Sequence, residues 1–215
     1  MKTVLITGAS KGIGRATVEK FLSEGWKVFG VARTFIDPIV HENFEEVLFD
    51  LSQISNIPSL VEQVKVIDVL VNNAGVMNVE RDVEIAINMI APVELALAFE
   101  SQMPQGGRVI SVASIAGKTG HPDVWYGATK AAVINATKSL AKKFTGKIIC
   151  NAVAPGPVDT EMLNQIPEER KKQLCDNAAT GRIAHPEEVA QIIYWLAVEA
   201  PEQINGETIN VNGGI

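Results

Sequence analysis

Apolar, largely β-branched residues recur in short runs that do not alternate with polar ones: TVLI from Thr3, WKVFGVA to Ala32, VLF from Val47, DVLVN to Asn72, RVISV to Val112, KIICNAV to Val153 and ETINV to Val211. Continuous apolarity of this length predicts strands covered on both faces, as in a parallel sheet. Between these runs lie helical patterns over Gly14 to Ser23, roughly Asn56 to Val64, Ala86 to Phe99, Val124 to Phe144 and Pro186 to Ala197. The last opens HPEEV, with proline in the first turn and two glutamates behind it, which suits the positive end of a helix. Strand and helix alternate over the whole length. This predicts an α/β, doubly wound Rossmann-type fold: a roughly seven-stranded parallel sheet with helices on both faces, in one domain spanning residues 1–215. One stretch breaks the rhythm, the thirty-odd residues from Val153 to Pro186, which carry four prolines and no sustained period. It is expected to be an irregular lid or binding loop at the end of a strand.

Composition narrows the function. At 47% hydrophobic residues the chain can bury a core unaided, and its net charge of −6 argues against a general nucleic-acid or membrane-surface binder. Cys150 and Cys175 are too few and too far apart for a disulfide framework, and His41, His121 and His185 are scattered, so no metal is expected. The apolar run after Met1 is too short for a signal-peptide core, and a cytoplasmic location is expected.

The first strand runs into TGASKGIG, in which Gly8, Gly12 and Gly14 follow a G-x-x-x-G-x-G spacing and a helix follows. A glycine turn between strand and helix lets the backbone approach a pyrophosphate, and the helix amino end supplies N–H donors. The second strand ends VARTF, so Ala32 offers no carboxylate for a ribose hydroxyl while Arg33 brings a guanidinium suited to a 2′-phosphate. With Lys11 in the glycine turn converging on the same group, the expected cofactor is NADP(H) over NAD(H). Further on, YGATK at 126–130 places Tyr126 and Lys130 four residues apart, on one face of an alanine-rich helix. A tyrosine with an unperturbed pKa of about 10 is a poor acid at neutral pH unless a nearby cation favours its phenolate.

TGASKGIG at 7–14, NNAG at 72–75, Asn88, Ser114, YGATK at 126–130 and PGPVDT at 155–160 occur in an order and spacing that resemble the short-chain dehydrogenase/reductase family, within it the NADP(H)-preferring 3-oxoacyl-ACP and carbonyl reductases. The resemblance implies Ser114, Tyr126, Lys130 and Asn88 as the catalytic set. It implies cofactor contacts from Gly8, Ser10, Lys11, Gly12, Ile13, Gly14 and Arg33, from Asp50 and Leu51 against the adenine, and from Asn73, Ala74 and Gly75. Tyr126 and Lys130 would also reach the nicotinamide ribose, with Pro155, Gly156, Val158 and Thr160 around the ring and carboxamide. Ser111 rivals Ser114 but reads as part of a strand. Gly127 and Ala128 are read as keeping the helix slim beside the phenol, and Val76, Met77, Met162 and Leu163 as apolar lining. The implied activity is hydride transfer between a nicotinamide and a carbonyl or secondary alcohol by a Ser-Tyr-Lys mechanism. The family also pairs the 124–144 helix and the one before it between subunits, which implies a homo-oligomer, dimer or tetramer. A cofactor-binding sensor without catalysis is the alternative. The segments before Asp68 and before Asn88 are short for the family, which points to a pocket mouth of unusual shape.

Overall fold

The computed structural model describes residues 1–215, apart from the side chain of Gln165. The seven strands are β1 Thr3–Thr7, β2 Lys27–Ala32, β3 Phe44–Leu48, β4 Val69–Asn72, β5 Gly107–Val112, β6 Ile148–Pro155 and β7 Thr208–Val211. They form one parallel sheet in the order β3-β2-β1-β4-β5-β6-β7. The central strand β1 pairs on both sides, Val4 standing opposite Val28 of β2 and Val69 of β4. Covered on both faces, its residues Val4, Leu5 and Ile6 are wholly buried, as their uninterrupted apolarity predicts.

The helices α1 Gly12–Ser23, α2 Ile57–Val64, α3 Arg81–Ile85, α4 Ala91–Phe99, α5 Ala116–Thr119, α6 Val124–Lys143, α7 Glu168–Asn177 and α8 Pro186–Val198 supply the outer layers. One apolar cluster joins the sheet to α2, α4 and α6 through Leu60, Leu95, Phe99, Leu140 and Phe144. The other joins it to α1 and α8 through Val18, Phe21, Leu22, Ile193 and Leu196. Phe21 sits at the centre of the second cluster, edge-on to Trp26 at 5.2 Å and to Tyr194 at 5.1 Å, geometries aromatic rings favour.

Two sequence expectations change here. The helix expected from Ala86 starts at Arg81, where the Glu80 side chain accepts a hydrogen bond from the Val83 N–H, and it passes through a π-helical turn at Ala86–Ile90 before α4. The segment after Val153 is not wholly irregular, because it carries α7. That helix contains EERKKQ, is highly polar and buries none of its described side chains, so it left no apolar period to read.

Sheet order fixes where a ligand can lie. Chain connections leave β1 toward β2 on one side, while β4 opens the other half of the sheet, so a crevice forms beyond the carboxyl ends of β1 and β4. The glycine turn follows β1, NNAG follows β4, Ser114 follows β5 and PGPVDT follows β6, which brings all four to that one edge.

Candidate active site

The glycine turn is held open by its own backbone. Gly8 and Gly12 adopt φ of +66° and +54°, the left-handed region that glycine tolerates best. Gly14 serves contact: a Cβ there would lie 2.0 Å from the Gly8 carbonyl oxygen and 2.5 Å from Asn73 Nδ2. Asn73 ties this turn to β4 by donating from Nδ2 to the carbonyls of Thr7 (2.9 Å) and Gly8 (3.2 Å). Thr7, buried at the end of β1, accepts from the N–H groups of both Asn73 and Ala74 at 3.0 Å. The sequence reading did not single out Thr7, although a hydroxyl ending an apolar strand beside a glycine turn was a signal for it.

No side chain caps the amino end of α1, so the first N–H groups of the helix have no side-chain acceptor, an arrangement that fits a pyrophosphate. Ser10 and Ile13 flank the turn, partly exposed. Lys11 and Arg33 are both exposed, and Lys11 pairs with Glu161 across the mouth. Thr160 closes over Gly12, its Cγ2 lying 3.1 Å from where a Cβ would stand. Asp50 is occupied in its own turn, accepting from the Ser52 N–H at 2.9 Å, and Leu51 is packed in the core beneath. Val158 likewise turns into the core and bridges to Ala184, while Pro155 and Gly156 are anchored against β7 through Val211.

On the far side of the crevice, α6 starts at Asp123, whose carboxylate accepts from the Tyr126 N–H at 3.1 Å. That bond, with others from the N–H groups of Asn78 and Trp125, holds the Asp123 carboxyl below its ordinary value. The Ser114 hydroxyl lies near enough to the Tyr126 phenol to favour its ionised form, while Ser111 stays buried inside β5. Desolvation raises the phenol above its ordinary value, the nearby Ser114 hydroxyl opposes that rise, and the charges of Glu84 and Asp123 add to it. Lys130 is buried, its Nζ donating to the Val112 carbonyl at 2.9 Å and lying 5.8 Å from the centre of the Tyr126 ring. Burial pushes its ammonium down to about 8. Gly75 leaves room for it, since a Cβ there would meet Lys130 Nζ at 3.3 Å and Asn88 Oδ1 at 3.5 Å.

Asn88 lies in the π-helical turn, a distortion that often marks functional positions. Its side chain bonds both polar groups of the Val76 backbone, accepting from N and donating to O at 2.8 Å each. Gly127 does not slim the helix beside the phenol as expected: it faces His121 and Ala116, and Ala128 faces solvent. Val76, Met77, Met162 and Leu163 are half-buried. Among the described residues, a partly open pocket of about 90 Å³ lined by Pro157, Leu174, Arg182 and Asn212 is too small for a cofactor, and Tyr126 does not line it. No group of three His, Cys, Asp or Glu side chains among the described residues could hold a metal ion, and no helix is long and apolar enough to cross a membrane.

A family model described as enoyl-(acyl carrier protein) reductase matches residues 8–215. The 3-oxoacyl-[acyl-carrier-protein] reductase FabG of Thermotoga maritima is 34% identical, the match covering 100% of this chain and 97% of that protein. A short-chain dehydrogenase/reductase of Brucella melitensis, described as glucose/ribitol dehydrogenase, superposes with a TM-score of 0.93 at 27% identity over 99% of this chain and 96% of its own. BdcA in complex with NADPH superposes with a TM-score of 0.86 at 28% identity, over 99% and 94% of the two chains.

Proposed function

The chain belongs to the short-chain dehydrogenase/reductase family of oxidoreductases, and from that premise we propose that it is an NADPH-dependent reductase of carbonyl compounds, working through Ser114, Tyr126 and Lys130 with Asn88 in support. The observation that carries this reading is the convergence of the Ser114 hydroxyl, the Tyr126 phenol and a buried Lys130 ammonium beside a glycine turn whose helix end is uncapped.

NADPH, when bound, supplies the hydride. Negative charge then builds on the carbonyl oxygen of the substrate, and that oxygen needs a donor to fix it and a proton to neutralise it. In this reading Ser114 donates its hydroxyl hydrogen to that oxygen, and Tyr126 gives up its phenolic proton. The phenolate left on Tyr126 is stabilised by the Lys130 ammonium, so the buried cation lowers the cost of the proton's departure. Asn88, fastened to Val76, fixes the wall of the crevice next to Lys130. A sensor without chemistry could use Lys130 as a ribose anchor but would have no need of a phenol and a serine hydroxyl beside it.

Half-buried Val76, Met77, Met162 and Leu163 give the mouth an apolar rim, and together with the likeness to FabG they put 3-oxoacyl thioesters first among the substrates to try. An NADPH-oxidation screen over such thioesters, cyclic ketones and small ketones tests the proposal, and NADPH binding without turnover on any of them would overturn it.

The cofactor preference rests on Arg33 and Lys11 at the adenosine end and on Ala32, which leaves no carboxylate to repel a 2′-phosphate. Ala32→Asp is expected to cut NADPH affinity by about tenfold or more and to shift preference to NADH. Wild-type protein that already prefers NADH in a titration would refute the assignment.

Val124, Ala128 and Ala131 share one exposed face of α6, with Val124 72% exposed. Such a face of small and apolar side chains suits packing against its own copy, and a dimer or tetramer is expected by light scattering. A strictly monomeric species at micromolar concentration would contradict this. The composition and the FabG likeness also favour a cytoplasmic location.

A further inference from the structure

Behind Asn88 lies a carboxylate that the reaction above leaves without a role. Glu84 sits on α3 one turn ahead of Asn88 and is 1% exposed. Its Oε1 accepts from Asn88 Nδ2 at 3.4 Å, and the same amide group lies 3.3 Å from Thr129 Oγ1. Asn88, Thr129 and Lys130 are 1%, 2% and 4% exposed, so four polar side chains are buried together where α3 and the π-helical turn meet α6. A buried carboxylate is costly unless an opposite charge or several donors compensate it. Asn88 supplies only one long hydrogen bond, and Lys130, buried in the same cluster without an ion pair to Glu84, is the opposite charge that acts on it.

The charges around this cluster are few. Asp123, Tyr126 and Lys130 face it from α6, the π-helical turn AINMI carries no titratable side chain, and His121 stacks edge-on against Tyr126 at 5.2 Å. On α3 itself, Arg81 and Asp82 pair with each other at the surface. Burial raises the Glu84 carboxyl and Asp123 adds to the rise, while Lys130 draws it back; in turn Glu84 opposes the downward push of burial on Lys130.

We propose that Glu84 is a positioning residue for the reaction: its carboxylate, steadied by Asn88, is the buried counter-charge that keeps Lys130 in its ammonium form beside Tyr126. The proposal rests on Tyr126 and Lys130 being the proton-handling pair.

The test is the pH profile of NADPH-driven reduction. The ammonium is present below the folded-state pKa of Lys130 and is lost above it, so wild-type turnover should fall as pH rises past about 8. Glu84→Gln keeps the shape and the contact to Asn88 but removes the charge, and should move this alkaline limb about one unit lower. Glu84→Asp, which keeps the charge, should restore part of the shift. A Glu84→Gln limb that coincides with wild type, while Tyr126→Phe is inactive, overturns this proposal alone; full turnover in Tyr126→Phe brings down the reading beneath it. Carbon-13 NMR of the Glu84 carboxyl in wild-type protein needs neither substitution nor substrate. A second inflection as Lys130 titrates is expected, and a flat response through that range overturns the proposal.

Discussion

Tyr126→Phe should lower kcat for ketone reduction by about a hundred- to ten-thousand-fold, the range in which a positioned acid contributes to a proton transfer. The substitution removes one oxygen. Packing is preserved because the ring keeps its edge-on contact with His121 at 5.2 Å. Only the polar approach to Ser114 is lost, and the Ser114 oxygen keeps its bond from the Ala116 N–H at 3.1 Å. Stability should therefore change by no more than about 1 kcal/mol. NADPH affinity, read by fluorescence titration, should stay within a few-fold of wild type, since neither the glycine turn nor Lys130 is disturbed. A large drop in turnover with intact binding separates a proton donor from a residue that merely shapes the pocket. Unchanged turnover would remove Tyr126 from the chemistry, and an equal loss of binding and turnover would limit it to the cofactor contact that the family resemblance also implies.

The division between what could and could not be read from the chain follows from the range of each signal. Strands β1, β4 and β6 were legible because burial on both faces demands unbroken apolar runs, and Val4 to Ile6 or Ile148 to Ala154 have few other uses. The glycine turn was legible because the backbone there needs left-handed φ at Gly8 and Gly12, and that need is written in residue type. Three features left no readable pattern, one because its cap is an unusual residue and two because they depend on contacts distant in sequence. The start of α3 at Arg81 rests on a cap from Glu80, set in a stretch with no apolar stripe of its own. The burial of Glu84 depends on α6 covering it, some forty residues later, so on the sequence it looks like an ordinary surface glutamate. The pairing of Lys11 with Glu161 joins residues 150 apart in the chain, and no local pattern announces it. The order of Ser114, Tyr126 and Lys130 was visible in the sequence, but the depressed ammonium of Lys130 needed the structure, because it arises from burial under Gly75 and against Val112.

Gly14→Ala should be the most damaging single methyl in the protein's dinucleotide edge. The added carbon would stand 2.0 Å from the Gly8 carbonyl oxygen and 2.8 Å from its carbonyl carbon, both backbone atoms that cannot rotate away. To relieve the clash, either α1 must withdraw from β1 or the Gly8 turn must open. The first breaks the packing of Val18 and Phe21, both fully buried, and the second breaks the two hydrogen bonds from Asn73 Nδ2. A loss of about 3 kcal/mol or more in stability is expected, with NADPH binding lost at any temperature where the protein remains folded. Gly25→Ala serves as the ruler. That glycine ends α1 at a φ of +75° with nothing within 4 Å, so its substitution should show backbone strain alone, about 1–2 kcal/mol, and leave NADPH affinity intact. The difference between the two variants isolates the steric requirement at the turn from the general cost of replacing a glycine. If Gly14→Ala proved as mild as Gly25→Ala in thermal melts and cofactor titration, the close approach of helix and turn would not be what holds the cofactor edge together.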